Sequence, residues 1–348
     1  MSAGSESRIP HRLAALAALL AGANLGAWAW ALAAFANKPV ILGAALLAWV
    51  FGLRHAVDAD HIAAIDNAVR KLMHQGRQPL AAGFYFSLGH STVVILASLV
   101  IAATINALQV RLTALQVIGG VIGTSVSAAF LLLVGFANAG ILWGVWRRFR
   151  QVLAGQNPDE ASFDALMAGR GVLARLFRPL FSLVSKSWHM FPVGFLFGLG
   201  FDTATEVGLL ALSASQAAQG MSAWQVMVFP ALFTSGMALV DTADSALMVG
   251  AYGWAYVHPL RKLWYNLTIT AASVAVALAI GGIEAAGLLG AQLGLSGGVW
   301  RWIGRLNQDL SAFGFLVVAI FALAWGLSAL AFRLSGYARL AATPAADS

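Results

Sequence analysis

Apolar residues run through this chain in long blocks, with few of the polar interruptions that mark a soluble amphipathic helix. Eight blocks are long enough to cross a hydrocarbon core, which needs about 20 residues. They cover roughly residues 13–36, 40–68, 81–105, 114–146, 190–218, 223–257, 263–290 and 312–333, and are taken as spans 1 to 8 in that order. Helices are predicted for all of them, because lipid offers the backbone no hydrogen-bond partner. The runs are too long and continuous for barrel strands. The first also exceeds the 7–15-residue apolar core of a signal peptide.

The polar positions inside these blocks are few and clustered. Span 2 carries Arg54, His55, Asp58, Asp60, His61 and Asp66 within thirteen residues. On a continuous helix at 100° per residue, His55, Asp58 and His61 fall within a 120° arc. Arg54 and Asp66 fall on the same side, and Asp60 points away. For Asp60 to join them, the helix must be broken or irregular near Ala56 to Ala59. Span 3 carries His90, which could be a ligand, a proton relay or a packing residue. Span 5 carries Asp202 and Glu206 at i, i+4, on one face. Span 6 carries Asp241 and Asp244. Asn24 in span 1 either faces the site or only bonds a neighbouring helix. Glu284 is expected at the outer surface.

Composition sharpens the class. Of 348 residues, 60% are hydrophobic and only 10% are charged, against about 25% charged in soluble domains. The fold class is therefore an all-α polytopic membrane protein with about eight transmembrane helices. Residues 1–348 form a single membrane transport domain, with halves at 1–146 and 190–348 joined by a cytoplasmic connection at 147–189. Part of that connection, 173–184, has the pattern of a basic amphipathic helix lying on the membrane. The net charge of +7 fits basic residues gathered in cytoplasmic connections better than nucleic-acid binding. Lys38, Arg111, Arg301 and Arg305 fall outside and Arg54 lies within a span, whereas the other 16 of 21 Lys and Arg, Arg70 among them, fall inside. This places both termini in the cytoplasm and the protein in the cytoplasmic membrane.

There is an internal echo. Phe51-Gly52-Leu53 is answered by Phe197-Gly198-Leu199, and Phe86-Ser87-Leu88-Gly89 by Phe233-Thr234-Ser235-Gly236. Spans 2 and 5 run in opposite directions under this topology. Spans 2–4 and 5–7 therefore read as an inverted repeat, an arrangement of transporters.

The chemistry follows from what is present and absent. The chain has no Cys, which excludes thiolate metal sites and disulfides. Imidazole with carboxylate suits nickel, cobalt or zinc. Intramembrane carboxylates outnumber Arg54, so a cation is the missing counter-charge. There is no P-loop, hence no ATP site in this chain, and no H-E-x-x-H or G-x-S-x-G hydrolase motif. Imidazole protonation below about pH 6.5 should weaken metal binding.

The motifs RHAVDADHI (54–62), FSLGHSTV (86–93), LGFDTATE (199–206) and GMALVDTAD (236–244), with a further stretch from Gly250 to Asn266, resemble the nickel/cobalt transporter family NiCoT. One departure is Ser245, where the family commonly has Gly. The resemblance implies an eight-helix permease that moves Ni2+ and Co2+ as substrates, with no cofactor and no enzymatic activity. It also implies that His55, Asp58, Asp60 and His61 are central. Arg54, Asn24, Asp66, His90, Asp202, Glu206, Asp241 and Asp244 are expected to support them. The expected partners are a divalent transition-metal ion and membrane lipid. Two alternatives are an intramembrane zinc-dependent hydrolase and a proton-coupled transporter of another cation.

Overall fold

The computed structural model describes residues 8–103, 109–153, 184–199, 204–255, 259–308 and 310–334. Every regular element among them is helical. In order they are α1 (Arg8–Phe35), α2 (Pro39–His55), α3 (Ala59–His74), α4 (Ala82–Ala103), α5 (Gln109–Leu153), α6 (Met190–Gly198), α7 (Ala204–Ala218), α8 (Ala223–Val226), α9 (Val228–Ala255), α10 (Pro259–Gln292), α11 (Gly298–Gln308) and α12 (Leu310–Leu334). A 3-10 turn, Ser187–His189, precedes α6.

Five of the described helices are long and apolar enough to cross a membrane, and the bent pair α2–α3 makes a sixth candidate. The predicted fifth span is divided between α6 and α7, of 9 and 15 residues. Residues 200–203 between them, including Asp202, lie outside the described residues, as does most of the amphipathic segment expected at 173–184. The eighth predicted span falls in α12.

Local sequence explains several helix ends. Pro39 opens α2, where its missing N–H costs nothing. Ser222 and Gln225 form a capping box at α8. Gly76, Gly220 and Gly294 follow α3, α7 and α10 with φ of 72°, 81° and 62°, a region open to glycine.

The interior holds two main apolar clusters. One joins α3 and α4 to α5, α6, α10 and α12 through residues such as Ile65, Leu72, Phe86, Leu131, Met190 and Phe321. The other joins α1 and α2 to α4, α7 and α9 through Phe35, Ala45, Val94, Leu209, Phe229 and Phe233. Large apolar side chains such as Val40, Leu25, Leu247 and Trp143 are exposed, as a lipid-facing surface requires.

Backbones touch at glycine. A Cβ on Gly52 would strike the Phe233 carbonyl group, one on Gly89 the Phe191 carbonyl, and one on Gly194 the Phe86 carbonyl. These contacts set α2 against α9 and α4 against α6, as small residues do between membrane helices.

Two polar positions differ from expectation. Arg70 does not lie in an inner connection; it is fully buried in α3, where Asp66 bonds its guanidinium. Glu284 is buried at 5% exposure rather than at the surface, because α10 turns it into the packed interior.

The backbone contact gives a direct expectation. Gly52→Ala should destabilise the protein by about 1–3 kcal/mol through overpacking. Gly43→Ala, at a site with open space around it, should leave stability unchanged or raise it. Thermal melting of both variants in detergent checks the difference.

Candidate metal site

The site is built at a helix break. α2 ends at His55, and Asp58 N donates back to His55 O at 2.9 Å in a tight turn. Asp58 then becomes extended (φ −65°, ψ 144°) at the N-cap position of α3, its side chain making no capping hydrogen bond. The two helices are bent by 52°. The irregularity falls at Ala56–Asp58, where the position of Asp60 raised the question of a break. α12 covers this turn: Gly314 approaches so closely that a Cβ would collide with the Val57 carbonyl. A non-helical turn at membrane depth is tolerated when protein encloses it.

The break brings three histidines together. His55 ends α2, His61 sits in the first turns of α3, and His90 comes from α4. Their ring centroids are 4.6–4.7 Å apart in all three pairs. One ligand atom from each lies within 4.8 Å of the others. All three side chains are buried. His55 Nε2 and His90 Nε2 are 2.9 Å apart. That is about the edge spanned by two neighbouring imidazole ligands at roughly 2.1 Å from a common ion. Phe86 and Phe233 close two sides of the group, with ring centroids 4.8 Å from His61 and 5.5 Å from His55 respectively.

Carboxylates surround the rings. Asp58 Oδ2 is 3.0 Å from His55 Nδ1, which favours the proton on Nδ1 and leaves the Nε2 lone pair facing His90. Asp58 Oδ1 accepts from Arg54 at 3.2 Å, and the Arg54 guanidinium lies 5.2 Å from the Phe315 ring centroid. Glu206 of α7 reaches His90 Nε2 at 2.7 Å and His55 Nε2 at 3.8 Å. Thr205 lies 3.2 Å from His55 Nδ1. Asp241 of α9 is 3.6 Å from His61 Nδ1, too far for a hydrogen bond. Among the described residues, neither ring nitrogen of His61, nor either oxygen of Asp241, has a hydrogen-bond partner. Both residues are almost wholly buried, at 0% and 1% exposure. Buried polar atoms left this way are costly, and a cation among them would satisfy them.

The remaining expected residues are placed differently. Asp60 is half-buried and is not among the three ligand groups that converge. Asp66 bonds Arg70, one turn further along α3, at 2.7 Å. Asp244 lies three residues past Asp241 on α9, a helix that packs against α3. Asn24 bonds neighbouring helices: it accepts from Trp49 Nε1 at 2.9 Å and donates to Ser235 O at 3.1 Å. Sequence reading missed the Ser273 contact with Asp66 and the Asn138–Asn67 hydrogen bond. The first two partners are 207 residues apart, so no local pattern signals them. The Asp66–Arg70 spacing of i, i+4 did carry a signal.

The profile of the NicO family, described as "High-affinity nickel-transport protein", matches residues 41–331. The chain belongs to this family. Every residue of the histidine and carboxylate cluster lies within the matched region, whereas Asn24 lies before it. The chain is 60% identical to the hydrogenase nickel incorporation protein HupN of Bradyrhizobium diazoefficiens, over 92% of this chain and 84% of that one. It is 53% identical to a high-affinity nickel transport protein of Cupriavidus necator, over 96% and 95% of the two chains. It is 41% identical to the cobalt transport protein NhlF of Rhodococcus rhodochrous, over 82% and 81%. No solved structure matches. Family membership and the apolar helices make this a multi-pass membrane protein of a metal-ion transporter family.

The contacts around His90 predict a graded result. Glu206→Gln should weaken binding of a divalent transition-metal ion by about 10–100-fold, because it removes a negative charge that sits directly beside the His90 and His55 Nε2 atoms. Asn24→Ala should stay within about threefold of the unmodified protein, because its bonds lie in the helix packing. Titration calorimetry on purified protein distinguishes the two.

Proposed function

We propose that this protein is a secondary transporter of Ni2+ and Co2+ in the cytoplasmic membrane, with both termini in the cytoplasm. One observation carries the reading: three buried imidazoles converge beside a carboxylate, Asp241, that has no hydrogen-bond partner among the described residues. Imidazole with carboxylate suits late first-row divalent ions. Relatives named for nickel and cobalt transport support the same substrate class.

In this reading His55, His61 and His90 ligate the ion. Asp58 fixes the tautomer of His55, and Glu206, beside the Nε2 atoms of His55 and His90, supplies counter-charge together with Asp241. Asp60, half-buried at the start of α3, meets the arriving ion. The two halves, 1–146 and 190–348, supply eight spans as an inverted repeat, with 147–189 as the joint. Glycine contacts support this pairing. Gly52 lies against Phe233, and Gly194 and Gly198 lie against Phe86 and His90. Motif residues of one half thus rest on motif residues of the other. Rocking of one half against the other exposes the site alternately. A divalent ion moving inward gains about 4.6 kcal/mol per 100 mV from the membrane potential, so the chain needs no nucleotide site of its own.

Uptake of 63Ni2+ or 57Co2+ into proteoliposomes with an inside-negative potential tests the reading. The unmodified protein should accumulate both ions, and His61→Ala should lower uptake at least about tenfold. Equal flux in the variant would sink the proposal. Lowering the outside pH from about 7.5 to about 5.5 should also slow uptake. Protonated imidazole has lost the lone pair that binds metal, so the effect runs toward weaker binding in acid.

A further inference from the structure

The connection between α10 and α12 contains a helix of its own. α11 has 11 residues, about 16 Å of helix, too short to cross a hydrocarbon core of about 30 Å. Gly294 and Gly297, with φ of 62° and 140°, turn the chain back before it. Two side chains seat α11 on α10. A Cβ on Gly290 would lie 3.0 Å from the Trp300 ring, and one on Gly287 would lie 3.0 Å from the Asn307 side chain. Seven residues of α11, about 10 Å, thus span three residues of α10, about 4.5 Å. The short helix therefore crosses α10 steeply and does not run along it.

At about 100° per residue, α11 presents three faces. Trp300 and Asn307 make the one against α10. Val299, Trp302, Ile303 and Leu306 make an apolar face, and Arg301 and Arg305 make a basic one. Val299 and Trp302 are 68% and 62% exposed. Arg301 and Arg305 are exposed too, whereas Ile303 and Leu306 are half-buried. No Asp or Glu falls between Gly298 and Gln308.

Exposed apolar side chains of this size are costly in water. Here they continue a lipid-facing surface, because Leu289 on α10, Leu293 just past it and Leu316 on α12 are exposed as well. Helices whose apolar and basic faces separate in this way lie in the membrane interface, with the apolar face toward the acyl chains and the cations at the headgroups. Trp is enriched in that layer. A second copy of the chain fits this face less well. A two-fold contact would set the same patch against itself, arginines included, and α11 brings no acid to answer them.

We propose that α11 is an interfacial anchor lying in the plane of the membrane, with Val299 and Trp302 among the acyl chains of one leaflet and Arg301 and Arg305 at phospholipid phosphates. α12 starts two residues after α11 ends, and its Gly314 presses on the turn at Ala56–Asp58. The anchor thereby fixes the depth at which α12 enters the membrane. This holds whichever ion the protein moves.

The chain has no Cys, so a single introduced thiol takes a nitroxide label without competition. Labels are placed on Val299→Cys, Trp302→Cys, Arg301→Cys and Arg305→Cys in the full chain, reconstituted into vesicles of phosphatidylcholine and phosphatidylglycerol. Collision of each label is measured with oxygen, which concentrates in lipid, and with chromium oxalate, which stays in water. The ratio of oxygen to chromium collision should be at least about threefold higher for labels replacing Val299 and Trp302 than for those replacing Arg301 and Arg305. Equal ratios at the four positions overturn the proposal, whether all four labels sit in water or all in lipid. Spin–spin broadening at the Trp302→Cys label that vanishes on dilution with unlabelled protein also overturns it, in favour of a contact between copies. If one Cys variant does not fold, the other label on the same face decides.

Discussion

Lipid imposes one constraint on every segment of this chain: each backbone N–H and C=O must find a partner within the protein. The turn at Ala56–Asp58 is where that constraint is met in an unusual way. α2 ends with i to i−3 bonds from Val57 and Asp58, and Asp58 opens α3 in an extended conformation. The turn survives because Gly314 lets α12 press directly on the Val57 carbonyl. Without the turn, His55 and His61 would project from one straight helix, six residues apart. With it, their rings come within 4.6 Å. The cluster, its carboxylate surround and its enclosure by Phe86 and Phe233 all follow from that bend.

Much of this was legible in the sequence because membranes punish buried charge. His55, Asp58 and His61 stood out as polar residues in an apolar block, and Glu206 and Asp241 stood out for the same reason. The all-helical class followed from hydropathy alone. The bend did not, because residues 56–58 carry no proline or glycine to mark it; only the awkward phase of Asp60 hinted at an irregularity. His90 was one residue with three open readings, and it is its contacts with His55 and Glu206 that place it in the cluster. Arg70 was misplaced because a basic residue near the end of an apolar run resembles an interfacial anchor. Only its partner on the same helix, one turn back, shows that it is buried.

Two kinds of contact divide the work of the structure. Glycines at 52, 89 and 194 allow backbones to meet between α2 and α9 and between α4 and α6. These contacts carry no charge and fix the scaffold by shape. The polar residues inside that scaffold are only partly satisfied by one another. Asp58 answers to both Arg54 and His55, while His61 and Asp241 find no hydrogen bond among the described residues. Tight apolar packing thus holds in place a set of groups that would otherwise turn toward better partners.

The three imidazoles come from three different helices, α2, α3 and α4. All three are assembled only once the bend has formed and α4 has docked against it. A cation that binds all three therefore binds the folded chain and not the separated helices. By mass action it deepens the native well, by about 2.7 kcal/mol when its concentration is a hundred times its dissociation constant. A cation held by all three is in this sense a folding ligand. An increase in melting temperature on adding metal would read out its affinity in detergent, with no membrane and no flux.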